Sequence, residues 1–426
     1  MTGLIIALIL FPLIGGAVAR RNWGEAWLFG AGLCGATLFV AGVLHVPLAA
    51  ALVILVMAAL TRFRQGLRSP VRARWPRAPA IVMFVPLVTC ALAATVIPLD
   101  DFDGRAFWIL KAKGIAHERA IDGPFFHGAT VDPRNDYPLL VPIDAAIVFS
   151  LANSLDDRQV RWMYLLFLIA LALHARERLS SLTNVMAGSW TAALIPWIPQ
   201  CFSTMPGGAL TGYSDLPMGA FGAGAFFELV AAESPVRFGL WVLFIVLTKS
   251  EGLPFALIML MVGAVVFRRR IAVPALMAAL GIAALLAWRH GIPRGDEEDL
   301  LRLLPSITQK AGRIPDAIAT FGGHLVELRS WGLFWVAVGA GAIAESQRRG
   351  VRLAIVIIAL VAGVYLAVYV ATSWHMADLI HASASRLLLH LIGPALFILA
   401  SAAGDYLPVR AKSMNPFSTS TEISLT

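Results

Sequence analysis

Charged residues are scarce in this chain. Asp, Glu, Lys and Arg together make up 14% of it, against roughly a quarter of an ordinary soluble domain. That shortage excludes a water-soluble globule. Cysteine is nearly absent: Cys34, Cys90 and Cys201 lie in or beside apolar runs with no paired spacing. Such a pattern excludes a disulfide framework and a cysteine-built metal site. No internal repeat of roughly 20–50 residues is present, which argues against solenoids and inverted-repeat carriers. The first apolar run has no small-residue cleavage site, so it reads as a retained span and not a signal peptide.

Hydrophobic residues fill what charge leaves. They make up 58% of the 426 residues, with a mean hydropathy of +0.76. Apolar runs long enough to approach a bilayer crossing recur over 2–19, 26–44, 46–61, 79–98, 160–175, 184–200, 214–232, 236–249, 252–267, 271–288, 332–346, 351–371 and 386–404. Backbone polar groups must be satisfied inside lipid, so these spans are expected to be helices. The fold class is an all-α polytopic membrane protein. Its net charge of +8 lies in arginines of short loops between spans, which is the positive-inside pattern and not a nucleic-acid surface.

Those arginines set the expected orientation. Arg20-Arg21, the stretch Arg62–Arg77, Arg176 with Arg178, Arg268–Arg270 and Arg348-Arg349 face the cytoplasm. Alternation then puts 99–137, 201–214, 289–331 and 372–385 outside, together with Asp100, Asp101, Asp103, Asp122, Asp132, Asp136, Asp215 and the Asp296–Asp299 cluster. The apolar run 137–153 breaks the alternation if it crosses, so it reads as a re-entrant or interfacial helix. Leu300, Leu301, Leu303 and Leu304 form one apolar surface face, and Ile314, Ile318, Phe321, Leu325 and Leu328 form another at helical spacing. The expected organisation is N-terminal membrane helices over 1–78, a catalytic core over 79–404 with outer loops 99–137 and 289–331, and a disordered cytoplasmic tail over 405–426.

Acids clustered at a membrane exit call for a chemical reason. A carboxylate there can act as general base, or can hold a divalent cation against a phosphate. In Asp101–Lys113 a helix would put Asp103, Phe107 and Lys111 on one face, with Trp108 in the headgroup layer. Arg105, Lys111 and Lys113 suit a lipid-linked phosphate; the plainer reading is an acidic loop followed by a snorkelling helix. Asp136 and Tyr137 stand at the mouth of an apolar helix punctuated by Pro138 and Pro142, where the acid would complement the helix dipole. Asp215 before Pro217 fits a helix N-cap or a second site carboxylate. Lys249 and Glu251 share a turn, as an exposed ion pair or as a phosphate ligand and its partner. Arg386 begins the last span, where it either snorkels or grips phosphate oxygens. His390 lies inside that span and reads as a packed, hydrogen-bonded core residue.

As an ordered set, these motifs resemble a known family. The set comprises Asp103, the W-x-x-K-A helix (Trp108, Lys111, Ala112), D-Y-P-L-L (Asp136–Leu140), G-Y-x-D-x-P (Gly212–Pro217), K-x-E-G (Lys249–Gly252) and S-x-x-R-L-L-L (Ser383–Leu389). The chain resembles the bacterial GT-C glycosyltransferases, the superfamily of the oligosaccharyltransferase catalytic subunit, the protein mannosyltransferases and the aminoarabinose transferase of lipid A. The likeness covers residues 80–400 approximately.

The resemblance implies a bundle of about 12–14 transmembrane helices with interfacial helices on its outer face. It implies a polyprenyl-phosphate sugar donor, a lipid, glycan or protein acceptor of the cell envelope, and an active site on the periplasmic face of a bacterial inner membrane. Carried over, Asp103 is the catalytic base, Asp215 the second carboxylate, and Arg386 with Lys249 ligands for the donor phosphate. Asp101 is the alternative match to the family acid. Some members use Mg or Mn, which Asp103 and Asp215 would hold; no other cofactor is implied. The chain departs from the family in its extra N-terminal spans and in lacking a sizeable soluble C-terminal domain. The rival function is a transporter or flippase for a lipid-linked glycan, which calls for acids at mid-membrane depth. A catalytically inactive scaffold for a partner enzyme is the third reading.

Overall fold

The computed structural model describes residues 2–19, 22–66, 75–99, 101–128, 134–293 and 306–407. Arg20-Arg21, residues 67–74 of the Arg62–Arg77 stretch, Asp100, Asp132, the Asp296–Asp299 cluster, the Leu300–Leu304 face and the tail beyond 407 lie outside the described residues. Every regular element among the described residues is helical. In chain order these are α1 (Thr2–Gly15), α2 (Trp23–Val43), α3 (Leu48–Gly66), α4 (Arg77–Val96), α5 (Leu110–Glu118), α6 (Pro124–His127), α7 (Leu140–Ala152), α8 (Arg158–Leu182), α9 (Val185–Leu194) and α10 (Pro199–Phe202). There follow α11 (Asp215–Ala231), α12 (Pro235–Thr248), α13 (Gly252–Phe267), α14 (Ala272–Gly291), α15 (Ile314–Leu325), α16 (Leu328–Trp331), α17 (Phe334–Ala344), α18 (Arg349–Ala371), α19 (Met376–Leu388) and α20 (Ile392–Tyr406).

Among the described residues five stretches are long and apolar enough to cross a membrane: Trp23–Val43, Arg77–Val96, Gly252–Gly291, Arg349–Ala371 and Met376–Asp405. The protein is therefore an all-α, multi-pass membrane protein in a lipid bilayer. Its outer helices present apolar side chains to their surroundings, among them Ile54, Phe84, Leu280 and Ile343, as a lipid-facing surface does. The expected spans over 2–19, 184–200, 236–249 and 332–346 fold as helices of 14, 10, 14 and 11 residues. Their shortness has local causes. Pro196 ends regular helix after α9 in a 3-10 turn, and Lys249 turns extended (φ −157°) to end α12.

The centre of the bundle is α11, buried from Asp215 to Leu229. A helix apolar on every side must be surrounded by protein or lipid; here α8, α12 and α20 surround it. Small residues permit that closeness: a side chain on Gly393 of α20 would overlap the Ala223 backbone.

Polar residues collect at two separated groups of helix ends. One group joins Arg178, Glu228, Arg237 and Glu25 in buried ion pairs at the end of α8, the end of α11 and the starts of α12 and α2. The other joins 101–113, 134–137, 207–215, 249–251, 289 and 383–390. This division matches the alternation read from the arginine runs. The run 137–153 behaves as its ambiguity implies. Helix α7 has 13 residues, about 20 Å of rise against roughly 30 Å of hydrocarbon. Asp136 before it binds Arg289 and Asp157 after it pairs with Lys113, so both its flanks stay with the acidic group.

Helix α15 has the expected amphipathic spacing but a different packed face. Phe321 packs against Tyr369 and Ala317 is buried, whereas Ile314, Ile318 and Leu328 stay exposed. Lys310 and Arg313 hold this region in place by donating to the carbonyls at the end of α18, Ala371 and Thr372.

Candidate functional site

The segment after α4 begins with Asp101 and Asp103 and passes through a π-helical turn, Gly104–Ile109, into α5. Such widened turns are rare and gather at functional sites. Gly104 allows its backbone to lie against the 207–213 loop: a Cβ there would sit 1.9 Å from the Thr211 carbonyl oxygen. The expected shared face of Asp103, Phe107 and Lys111 exists, and one residue collects it. Arg134 Nη1 lies 3.6 Å from Asp103, its guanidinium stacks 4.3 Å over the Phe107 ring, and its carbonyl accepts from Lys111 Nζ. Arg134 was not singled out in the sequence; only its setting between Pro133 and the Asp136-Tyr137 pair marked the stretch.

Arg386 reaches the same acid from 283 positions away. Its Nη1 donates to Asp103 Oδ2 at 2.9 Å, and its guanidinium lies 5.2 Å over the Tyr213 ring. The last turn of α19 comes close enough because the facing residue is Gly207, with φ +92° and the Arg386 Cβ 2.8 Å from where a side chain would begin. Tyr213 in turn donates to Asp101 Oδ1 at 2.5 Å. Burial pushes the Tyr213 phenol above its ordinary range against the pull of Arg386, and the bond to Asp101 adds to the rise. Tyr213 is therefore a fixed donor. Asp101 and Asp103 have different roles: one anchors the tyrosine, the other faces two guanidinium groups.

Asp215 is the first residue of α11, with Ser214 preceding it as N-cap. It does not cap the helix. Its Oδ1 accepts from Lys249 Nζ at 2.8 Å and lies 3.2 Å from His390 Nε2, whose Nδ1 meets the Tyr365 hydroxyl at 2.6 Å. Lys249 also contacts Glu251 at 3.0 Å, but Lys249 is 4% exposed, so this is a buried link in a chain and not the expected exposed pair. His390 is hydrogen-bonded and buried as expected, and it belongs to the site. Arg386 lies within electrostatic range of Asp215 as well as Asp103. Asp103 thus accepts from this guanidinium directly, and Asp215 at the start of α11 feels its charge. In this group Arg386 Nε as a donor, and Asp215 Oδ2 and Glu251 Oε2 as acceptors, are buried without a hydrogen-bond partner among the described residues.

The remaining expected site residues fall around this centre. Trp108 is 4% exposed and Lys111 2% exposed. Both pack inside the protein: the ammonium sits 5.8 Å from the Trp108 ring and 5.4 Å from the Tyr137 ring, a buried cation–aromatic box. Asp136 does not cap α7, which starts at Leu140 behind Leu139; its carbonyl accepts from Arg289 Nε at 2.8 Å while Arg289 Nη2 reaches Ser250. Arg105 departs most. It lines a cavity with Lys113 and the start of α8, and Asp103 and Asp215 are not part of that cavity.

A polar cluster brackets α19 on its other side. His324 Nε2 lies 3.2 Å from His381 Nδ1, and His324 Nδ1 lies 3.1 Å from Glu327, which accepts from Ser330 and Ser385. Among the described residues no three His, Cys, Asp or Glu side chains gather as a metal site. Asp103 and Asp215 face cations, so this donor set does not fit a divalent metal ion. Comparison with family models, with curated proteins and with solved structures finds no match to this chain.

Proposed function

We propose that the protein is a membrane glycosyltransferase of the GT-C type, moving a sugar from a polyprenyl-phosphate donor to a cell-envelope acceptor. In this reading the bundle crosses the inner membrane about 12–14 times, and the Asp103–Arg386–Asp215 group faces the periplasm. One observation carries the reading: Arg386 donates to Asp103 and acts on Asp215 through its charge, with an open donor at its Nε and an open acceptor at Asp215 Oδ2. An anionic leaving group and an incoming hydroxyl need such a pair of contacts.

The chemistry follows from charge. Asp103 accepts the proton of the acceptor hydroxyl while the hydroxyl oxygen attacks the anomeric carbon. The bond from that carbon to the donor phosphate oxygen breaks, and its electron pair leaves with the lipid phosphate. Arg386 and Lys249 stabilise the charge that develops there. A single displacement inverts the anomeric centre. Asp215, held by Lys249 and His390, orients the acceptor through its open oxygen. Asp101 acts one step removed, by fixing Tyr213 under Arg386.

A transporter for a lipid-linked glycan is the second reading, and Asp144 favours it. This residue of α7 is fully buried, near Cys34 of α2 and Tyr164 of α8, and neither carboxyl oxygen has a hydrogen-bond partner among the described residues. Carriers use acids placed in this way. The test is to reconstitute the chain in proteoliposomes and offer a panel of radiolabelled polyprenyl-phosphate sugars. Label appearing on an acceptor supports transfer. Label that crosses the bilayer on its original lipid, with no new glycoside formed, overturns it.

A further inference from the structure

A cavity of about 520 Å³ lies beside the end of α4, and four of its lining side chains are basic: Arg105, Lys113, Arg158 and Arg161. Among the described residues two acids share it, Asp156 and Asp157, leaving an excess of two positive charges among these lining residues. The acids are already engaged. Asp156 is held by Arg158, whose guanidinium pulls the carboxyl down to about 2, and Asp157 lies 2.6 Å from Lys113 Nζ. Arg105 and Arg161 have no hydrogen-bonded acid among the described residues.

Arg161 is the unusual member. It is only 3% exposed, yet its Nε and Nη1 are buried without a hydrogen-bond partner among the described residues. A guanidinium out of water with donors unmet is costly. The open N–H groups belong to a residue that lines the cavity. Arg158 and Arg161 are one turn apart at the N-terminus of α8, where the helix dipole adds further positive potential.

The other wall is apolar and leads into the bilayer. Val96 and Leu155 line it. Val96 is 79% exposed and continues a lipid-facing stripe on α4 through Leu92, Val85 and Ile81, which are 64%, 50% and 65% exposed. An amphiphile can therefore place its charged head against Arg161 and run its chain along α4. A soluble anion has no use for such a stripe.

We propose that this cavity is a second binding site, for the phosphate head of a lipid whose hydrocarbon chain lies along α4. Guanidinium forks match phosphate oxygens in pairs, and a phosphate dianion balances the excess charge. The site is distinct from the Asp103–Arg386–Asp215 group, and its occupancy does not rest on the transfer reading.

Native mass spectrometry of the full chain in neutral detergent tests the proposal by binding alone. The probes are a short-chain phosphatidic acid, the matching diacylglycerol and inorganic phosphate. One phosphatidic acid is expected to bind per chain, at least about tenfold tighter than diacylglycerol. Arg161→Gln is expected to weaken it about tenfold or more, Arg161→Lys to recover only the part that charge alone supplies, and Arg329→Gln, at an exposed position elsewhere, to leave it unchanged. Arg105→Gln, also at an exposed position, gives the same weakening without disturbing the core. Unchanged binding in both Gln variants overturns the proposal. Competition by inorganic phosphate at equal concentration overturns the lipid assignment and leaves a simple anion site. Loss of transfer in Asp103→Asn with phosphatidic acid still bound separates this site from the catalytic one.

Discussion

Arg386 and Asp103 stand 283 positions apart in sequence and meet at 2.9 Å. Through that contact the last turn of α19 is held on the acidic loop behind α4, and the guanidinium also acts on Asp215 through its charge. Arg386→Gln is expected to abolish sugar transfer, a loss of about a hundredfold or more as for removal of an electrostatic donor. It also removes a charge-assisted hydrogen bond, a stability cost of about 1.5–3 kcal/mol in thermal unfolding. Arg386→Lys restores the charge but not the two-pronged geometry, so most of the transfer stays lost.

Lys249 and Asp215 are coupled, and a double-mutant cycle is the way to see it. Lys249→Met strands the buried Asp215 carboxylate, and breaking a buried pair from one side costs about 3–5 kcal/mol. Asp215→Asn strands the lysine instead. The double variant, Asp215→Asn with Lys249→Met, is expected to lose clearly less than the two single losses added together. Additive losses would mean that the pair does not interact.

Glu327 gives the protein an acid limit. Burial pushes its carboxyl up, but hydrogen bonds from Ser330, Ser385 and His324 outweigh burial and hold it below the ordinary value of 4.5. A depressed acid contributes stability above its unfolded value and loses it as pH falls through the folded one. Thermal unfolding of wild type is therefore expected to hold from pH 7 to about 4.5 and to drop below that. Glu327→Gln is expected to start lower and to show a shallower drop.

Sidedness has its own check. With Cys34, Cys90 and Cys201 replaced by alanine, single cysteines at exposed His117 and exposed Arg269 are expected to react with a membrane-impermeant maleimide from opposite faces of oriented vesicles. Reaction from one face would break the alternation of arginine runs.

Asp144 separates the two functional readings. Asp144→Asn is expected to leave sugar transfer within about twofold of wild type and to raise the unfolding temperature, because an unpartnered buried carboxyl is costly. Loss of lipid translocation in that variant would instead place the protein among carriers.

Much of the frame was legible before any coordinates. Arginines in short loops are an electrostatic signal that does not depend on packing, so the division of helix ends could be read from Arg176, Arg178 and Arg268–Arg270. Asp103, Asp215, Lys249 and Arg386 were visible because each charge stands out in an apolar chain. Their partners were not. Arg134 and Tyr213 lie in irregular loops, where no periodicity marks a direction. His390 and Tyr365 sit inside apolar runs, and a run gives a helix its place in the membrane without naming its neighbours. Asp144 was missed for the same reason: within LVPIDAAIVF a single acid reads as an interruption until α2 and α8 close around it. The burial of Trp108 and Lys111 was not legible either, because the π-helical turn Gly104–Ile109 that leads into α5 has no sequence signature.

The central claim is that Asp103 is the base of a transfer reaction and Asp215 its orienting partner. The most direct measurement compares sugar transfer by wild type, Asp103→Asn and Asp215→Asn in proteoliposomes, with protein level and donor binding measured alongside. The account expects Asp103→Asn to bind donor and transfer essentially nothing, and Asp215→Asn to keep a residual rate with a raised KM for acceptor. Transfer at the wild-type rate by Asp103→Asn, with the donor bound, would contradict it.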